Sequence, residues 1–374
     1  MALVLNEDEK MLQESAEGFF ANKAPVKALR ALRDGQDETG FDRGLWKEMA
    51  DMGFAGVLID EEHGGVDMGC MAAGLVAVEM GKNLTASPFI STAVLSVSAI
   101  SKAGTAEQKS AWLPKIASGD ALFAFAIDEG RKHAPSKIEL TAERSGNGFK
   151  LNGSKAMVID GHVADQLIVA AKTGEGKTTL FLVDPKSQGL ATERTIMVDS
   201  RNAARFEFDD VEVTADAVLG EIDGAMDTIE AVLSVGRAIV SAEMLGASSE
   251  AFKITTDYIR ERKQFGTEIG RFQALQHRSS HLYTELEIAK SAVLASLSAL
   301  DMADPKASEY AKMTKAKVGQ VAKLAGLEGV QMHGGVGMTD EYDIGLYLKR
   351  IRVTQELFGD THFHMEEIAK TAGY

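Results

Sequence analysis

Two carboxylates and two histidines stand close together near the C-terminus, in the stretch QELFGDTHFH. Glu356, Asp360, His362 and His364 are residue types that serve as general acids, general bases or metal ligands. On a helix, however, alternate residues such as His362 and His364 point to different sides and would not converge on one proton or one metal ion. We therefore predict an exposed helix start, with Asp360 or Thr361 as its N-cap, rather than a catalytic cluster.

A second candidate for metal binding is a row of three residues spaced four apart, His277, His281 and Glu285, on a predicted helix. They could share one face of that helix, but a metal site would need matched ligands from a second helix. We predict a polar or subunit-facing surface here and no metal.

The stretch GEGKT, residues 174–178, contains part of a phosphate-loop pattern. That pattern needs a glycine five residues before Gly176, and position 171 is alanine. The stretch also lies between two predicted strands rather than between a strand and a helix. A hairpin turn is therefore favoured over a nucleotide loop.

Two further motifs combine glycines with cations and amides. QMHGGVGM, residues 331–338, follows a helical segment, and its backbone could end the helix or approach a ligand closely. RERKQFGTEIGRFQALQH, residues 260–277, contains Arg262, whose guanidinium could bind a phosphate. Each motif also has a simpler interpretation. Residues 331–338 could be a plain helix-ending turn, and residues 260–277 could be a solvated run of charges at a helix end.

Composition restricts the class of protein. The 374 residues are 45% hydrophobic and carry a formal net charge of -15, which indicates a globular chain without the basic face that nucleic acid requires. Cys70 is the single cysteine, so no internal disulfide is possible. The sequence shows no signal-peptide pattern and no apolar run long enough to span a membrane, so we expect a cytoplasmic protein with no membrane partner.

The periodicity changes twice along the chain. Helical spacing covers about residues 7–118, short alternating runs such as LIVAAK, TLFLVD and RFEFDDVEV follow, and helical spacing returns from about residue 223. We predict a mainly α fold with a middle β domain, divided into an N-terminal helical domain (1–118), a middle domain (119–222) and a C-terminal helical bundle (223–374).

The two glycine motifs together resemble the C-terminal signatures of the acyl-CoA dehydrogenase family, in the stretches ERKQFG…FQALQH and QMHGGVGMTDEYDIGLYLKR. The resemblance extends over nearly the whole chain, including LIDEEHGGVDMG, KLNGSKAMVIDG and FDDVEVTADAVLGE. It implies a small β-barrel-like middle domain, a C-terminal four-helix bundle, and a tetramer built as a dimer of dimers. It also implies an acyl-CoA substrate, FAD as cofactor and an electron-transfer flavoprotein as electron acceptor.

In the family, one subunit contributes an arm of residues that bind the pyrophosphate and adenine of its neighbour's FAD. Guanidinium, amide and bare backbone groups suit that role. The resemblance assigns to this arm the residues Arg262, Gln264, Phe265, Gln273, Gln331, Gly334 and Gly335.

The family removes the α-proton of an acyl-CoA thioester with a glutamate while hydride leaves the β-carbon for flavin N5. By counting along the motifs, the usual base position falls on Phe358, and the position used by a second branch falls on Gly236, before Arg237. Neither side chain can take a proton, and Glu356 is a weak substitute because it would point elsewhere on a helix. The resemblance assigns Arg237 to substrate binding.

The flavin-facing middle domain also departs from the family pattern. Where the family has Thr-Glu-Pro and a glycine-rich segment ending Gly-Ser-Asp, this chain keeps Glu129 but has His133, Ala134 and Pro135. The aromatic-Ile-Thr beside the flavin ring becomes Met157-Val158-Ile159, so Ile159 replaces the threonine that would contact N5.

Some members of the family are heteromeric α2β2 complexes, often acting on bulky acyl-CoA such as steroid side-chain thioesters, in which one subunit has the base and the other completes the flavin site. Our leading hypothesis is the subunit without the base, in lipid or steroid catabolism, paired with a glutamate-bearing homologue. Two alternatives remain: a self-sufficient homo-oligomer with a displaced base, and a non-catalytic acyl-CoA-binding or scaffold protein. Ala238, Ala242 and Gly246 hint at space for substrate, although close helix packing is favoured.

Overall fold

The structure is a computed structural model that describes residues 4 to 374. It is mostly helical, with a sheet in the middle of the chain and helices before and after it, so the predicted fold class is confirmed. The N-terminal helices are α1 (Glu7–Lys23), α2 (Val26–Asp34), α3 (Arg43–Asp51), α4 (Gly69–Asn83), α5 (Val97–Ala103) and α6 (Ala106–Ala117), with a π-helix at Phe89–Ser96 before α5.

Helix starts in this part of the chain follow from local side-chain chemistry. Asn6 and Glu9 cap α1 reciprocally, each side chain accepting a hydrogen bond from the other's backbone N–H, and Thr105 and Gln108 do the same at α6. Such capping boxes satisfy donors that a helix start otherwise leaves unpaired.

The middle segment forms one main sheet. Its strands are β1 (Phe123–Ala126), β2 (Thr141–Ser145), β3 (Gly148–Ile159), β4 (Gln166–Gly174), β5 (Lys177–Val183), β6 (Leu190–Ile196), β7 (Asn202–Thr214) and β8 (Val218–Leu219). The order is β6-β7-β3-β2-β4-β5-β8, with β1 parallel to β4. One face buries a continuous apolar cluster that includes Phe149, Phe181 and Phe206.

The three predicted strand runs fall in β4, β5 and β7, which confirms them. The GEGKT stretch turns between β4 and β5, where Gly174 pairs with Lys177 and Gly176 has a φ of 67°. The hairpin prediction is therefore confirmed.

The C-terminal segment is built from long helices: α7 (Met226–Glu261), α8 (Gln273–Asp301), α9 (Ala307–His333), α10 (Ile344–Glu356) and α11 (Thr361–Thr371). A small hairpin, β9 (Lys263–Gln264) and β10 (Thr267–Glu268), separates α7 from α8. Helix α9 packs against α8, α10 and α11. No helix in the described part of the chain combines the length and apolar character needed to cross a membrane.

Two compact units result from the distribution of contacts. One contains residues 4–31, Cys70–Thr85 and Arg237–Tyr374, and the other contains Leu32–Gly69 and Ala86–Gly236. The division into domains 1–118, 119–222 and 223–374 stays a prediction.

Small residues let α4 and α7 touch through their backbones within the first unit. A β-carbon on Gly246 would collide with the Val78 carbonyl, and one on Gly81 would collide with the Glu243 carbonyl. Gly246 therefore serves close helix packing, as the sequence favoured, because any side chain there would force the two helices apart.

Candidate active site

The hairpin between α7 and α8 presents an aromatic side chain to solvent. Phe265 and Gly266 form its two-residue loop, with φ angles of 53° and 80°, the geometry of a type I′ turn. Phe265 is 92% exposed. A bulky residue in left-handed backbone is uncommon and costs about 1–2 kcal/mol, so the turn holds a strained, exposed phenylalanine where a smaller residue would fit better.

Arg262 is the cation of this hairpin that has no carboxylate partner. Lys263 lies 3.7 Å from Glu268 and Arg271 lies 2.7 Å from the same residue. Among the described residues, no carboxylate oxygen lies within 4 Å of the Arg262 guanidinium. Its five donors are therefore available to an anion from outside the chain.

The remaining predicted arm residues lie at helix ends in the same compact unit. Gln273 begins α8, and Gln331 is exposed in the last turn of α9. Gly334 follows with φ 64° and ψ −143°, a conformation that glycine alone adopts readily. A β-carbon on Gly334 or Gly335 would meet no heavy atom within 4 Å, so bare backbone is exposed at this point.

His333 joins the two parts of the arm, a role that sequence reasoning missed although the residue lies within the QMHGG motif. Its ring stacks on Tyr258 of α7 at 4.4 Å between centroids, and the Tyr258 hydroxyl donates to the His333 carbonyl at 3.3 Å. Burial lowers the pKa of His333, and Nδ1 donates to the Gly329 carbonyl at 2.7 Å. The stack therefore fixes the end of α9 beside the end of α7.

Phe358, the residue predicted to stand at the usual base position, lies in a sharp turn between α10 and α11. Phe358 has a φ of 58° and Gly359 has a φ of 103°. The Phe358 side chain is buried, and Nε of the buried Arg237 donates to the Phe358 carbonyl at 3.4 Å. Gly236 is buried in α7 directly before Arg237. Neither Phe358 nor Gly236 offers an atom that can remove a proton.

The two carboxylates nearest this turn in sequence are already engaged. Glu356 pairs with Arg352 at 2.8 Å on the exposed side of α10. Asp360 caps α11 by accepting from the Phe363 backbone N–H at 2.8 Å, which confirms it as the predicted N-cap. The expectation of an exposed helix start is wrong for His364, which is fully buried because α11 packs that side against α9.

Lys315 is a second residue that sequence reasoning missed. It is fully buried on α9, and its Nζ donates to the carbonyls of Gln355 at 2.8 Å and Gly359 at 2.9 Å. Burial lowers the pKa of Lys315 to about 7, against the opposing attraction of Glu356 and Asp360. The run AKMTKAK around Lys315 contains two other lysines, Lys312 and Lys317, which are only partly buried, and no local pattern distinguishes Lys315 from them.

In the sheet unit, the loop after β1 is braced by an ion pair between the buried Lys155 and the partly buried Glu129. Glu129 accepts from Lys155 Nζ at 2.6 Å and from the backbone N–H groups of Glu139 and Leu140 at 2.8 and 3.1 Å. Burial lowers the pKa of Lys155 to about 8. Glu129 therefore holds both ends of the loop together.

His133 and Ala134, which stand where the resemblance predicts a glycine-rich segment, form hydrogen bonds within the same loop. Asp128 accepts from His133 Nδ1 at 2.9 Å and from the Ala134 backbone N–H at 3.1 Å. Ile159 is buried at the end of β3 and offers no hydroxyl, whereas Met157 is 46% exposed at a φ of 54°. Ile159 thus has an aliphatic side chain at the position where the resemblance predicts a threonine.

The row of His277, His281 and Glu285 forms no metal site. Glu285 accepts from Lys317 at 2.5 Å, and His281 Nε2 is 4.0 Å from Glu285. Across residues 4–374, no group of three or more histidine, cysteine or acidic residues is placed to bind a metal ion.

The two buried lysines predict a rise in stability with pH. Between pH 7 and 9 the unfolded chain keeps the protons that Lys315 and Lys155 release in the folded chain, so the free energy of unfolding increases. We expect Lys315→Met to flatten this rise by up to about 1.4 kcal/mol per pH unit. Urea unfolding at pH 7, 8 and 9 measures the slope, with Lys323→Met, at an exposed position on α9, as control. Equal slopes in both variants would contradict the expectation.

Two family models match the chain: the acyl-CoA dehydrogenase N-terminal domain over residues 6–120 and the C-terminal domain over residues 223–373. Acyl-CoA dehydrogenase FadE12 of Mycobacterium tuberculosis is 30% identical over 370 residues, which cover 95% of this chain and 93% of the relative. The chain belongs to the acyl-CoA dehydrogenase family, as its motifs predicted. It is an oxidoreductase of that family, whose members depend on FAD.

Particular relatives differ in their named substrates. The short/branched chain specific acyl-CoA dehydrogenase of Bos taurus mitochondria is 28% identical over 374 residues, covering 97% of this chain and 85% of the relative. Among solved structures, a variant of the Tcur3481–Tcur3483 steroid ACAD has a TM-score of 0.89 and 29% identity, covering 98% of this chain and 99% of that one.

Proposed function

We propose that this chain is the component without a catalytic base in a heteromeric, FAD-dependent acyl-CoA dehydrogenase. Its arm of Arg262, Gln264, Phe265, Gln273, Gln331, Gly334 and Gly335 completes the flavin site of a partner that carries the glutamate. One observation carries the proposal: among the described residues, no carboxylate lies within 4 Å of the Arg262 guanidinium.

The chemistry of the arm fits the pyrophosphate and adenine of FAD. Arg262 offers paired donors for phosphate oxygens, Gly334 and Gly335 offer backbone that a ligand can approach, and Phe265 offers an exposed ring. When bound, FAD would supply the acceptor for the hydride from the β-carbon of the substrate. This chain's own contribution is to bind and orient the cofactor.

The absence of a base in this chain is proposed from the turn between α10 and α11. Phe358 and Gly236 occupy the two family positions, and neither can accept the α-proton. The weak candidate Glu356 would have to leave Arg352 and move off the exposed face of α10. Asp360 would have to abandon the start of α11. A self-sufficient enzyme with a displaced base is therefore the less favoured arrangement.

The middle domain supports the same division of labour. Asp128, Glu129 and His133 already have hydrogen-bond partners in or beside their own loop. By the family pattern, the buried Ile159 replaces the threonine that would contact flavin N5. This chain would accordingly lend flavin contacts more effectively than it would hold a flavin of its own.

The name of the steroid ACAD relative joins two designations, Tcur3481 and Tcur3483. This supports pairing with a second, glutamate-bearing homologue and, by extension, a bulky acyl-CoA substrate of the steroid side-chain class. We propose a heterotetramer that passes electrons to an electron-transfer flavoprotein. In this assembly Arg237 would belong to the substrate-binding residues.

The test is turnover with and without the partner. The purified chain alone should show little acyl-CoA-dependent reduction of an artificial electron acceptor, and co-purification with a glutamate-bearing homologue should restore it. Robust turnover by the lone homo-oligomer would exclude the proposal. Binding of acyl-CoA without flavin reduction, whatever the partner, would instead identify a non-catalytic binding protein.

A further inference from the structure

The turn that contains Phe358 is held by one short section of α9. Lys315 Nζ donates to the carbonyls of Gln355 and Gly359, one on each side of Phe358. The Gln355 side chain returns a hydrogen bond to the Gly319 carbonyl at 2.6 Å. Thr361 Oγ1 donates to the Ala316 carbonyl at 3.2 Å. Both ends of the turn are therefore fixed to one turn of α9.

This anchoring explains how a phenylalanine can stay in left-handed backbone. A residue such as Phe358, at φ 58°, keeps that conformation only where its surroundings determine it strongly. Lys315 provides two of the restraints and Arg237, from α7, provides a third. The position of residue 358 is thus set by buried cations rather than by the phenyl ring alone.

The charge of Lys315 has no direct counterion. Among the described residues, no carboxylate oxygen lies within 4 Å of its Nζ, although the side chain is fully buried. The charged or titratable groups around it are Arg237 on α7, Glu356 on α10, and Asp360 and His364 at the start of α11. Glu356 is taken by Arg352 and Asp360 by the cap of α11. A buried ammonium without a counterion is costly, and a nearby carboxylate would relieve that cost.

We propose that Lys315 is a positioning residue of a general-base site from which only the carboxylate is missing. It fixes the turn so that residue 358 occupies the base position, and its charge would keep a carboxylate at that position ionised. The inference rests on the proposed function, because Phe358 is taken as the base position from the family pattern.

The test restores the carboxylate and then removes the lysine. Phe358→Glu and Phe358→Gln are compared in the Lys315 and in the Lys315→Met backgrounds, by the thermal unfolding midpoint from pH 5 to pH 6.5, a range below the pKa of about 7 at which Lys315 itself loses its proton. With Lys315 present, the midpoint of Phe358→Glu minus that of Phe358→Gln should not change with pH, because the carboxylate is ionised throughout this range in both the folded and the unfolded chain. In the Lys315→Met background, the midpoint of Phe358→Glu should fall by several degrees relative to that of Phe358→Gln as pH rises.

The sign of that fall follows from linkage. A buried carboxylate without a cation keeps its proton in the folded chain at pH values where the unfolded chain has lost it, so stability decreases with pH. The same pH dependence in both backgrounds would overturn the proposal, whether both differences fall or both stay level. A purely structural lysine would lower all midpoints without creating this divergence.

A second measurement covers the case in which the variants at Phe358 do not fold. Hydrogen exchange of the peptide spanning residues 357–363 is compared between the unmodified chain, Lys315→Arg and Lys315→Met. Exchange should accelerate at least tenfold in Lys315→Met and little in Lys315→Arg. If exchange of this peptide were unchanged in Lys315→Met, the proposed anchoring by Lys315 would be wrong. Neither measurement uses flavin or a partner, so a failure of the proposed function would leave both results unchanged.

Discussion

Replacing Arg262 with alanine should strip most of the FAD from the complex between this chain and its glutamate-bearing partner. A guanidinium that binds a pyrophosphate contributes charge-assisted hydrogen bonds, each of about 1.5–3 kcal/mol. The expected loss in FAD affinity is therefore about ten- to one-hundredfold. Arg262→Lys should be intermediate, because an ammonium keeps the charge but loses the paired donors. Fluorescence titration of the apo complex with FAD measures the effect.

The hairpin provides its own control for this experiment. Lys263 is next to Arg262 and equally cationic, but it already lies near Glu268 on the protein surface. Lys263→Ala should change FAD affinity by less than about threefold, as expected for an exposed pair. If both variants weakened FAD equally, the effect would be one of overall charge, and Arg262 would have no specific role.

Replacing Glu243 with glutamine should destabilise the chain by about 3–5 kcal/mol, because it leaves a buried arginine without its counterion. Arg350 is fully buried, its guanidinium is 3.0 Å from Glu243, and it also donates to the carbonyls of Leu84 and Thr85 at 3.2 Å. Arg350 belongs to α10, which leads into the turn at Phe358. Urea unfolding at pH 7 measures the loss.

The matched control is an exposed ion pair on the same helix. Glu356 is 2.8 Å from Arg352, and both side chains are about half exposed or more. Glu356→Gln should change the free energy of unfolding by less than about 1 kcal/mol. A loss as large as that of Glu243→Gln would show that Glu356 is held in a buried contact, and it would return Glu356 to consideration as a base.

Periodicity and turn chemistry were sufficient to predict the fold. The stretch LIVAAK became β4, the GEGKT stretch became the hairpin to β5, and Leu282, Leu286, Val293 and Leu297 form the buried stripe of α8. These features depend on residues close in sequence, and backbone propensity and the two periods of helix and strand determine them.

The electrostatic features of the site could not be predicted in the same way. Lys315 is buried because α9 packs against the turn at Gly359, forty-four residues away in the sequence. Within residues 4–374, the Arg262 guanidinium has no carboxylate partner, because strand pairing brings Lys263 to Glu268 and the following turn brings Arg271 to the same residue. The burial of His364 likewise depends on the packing of α11. Each of these facts belongs to tertiary contacts, which no local pattern in the sequence encodes.

The central claim is that this chain lends flavin contacts to a partner and holds little flavin by itself. The visible absorption spectrum of the protein purified alone, with and without added FAD, tests it most directly. We expect a colourless protein that acquires a flavin band only after mixing with a glutamate-bearing homologue. A lone protein that carries a full complement of flavin on every protomer would contradict it, and would show that the middle domain with Ile159 and Met157 holds the cofactor unaided.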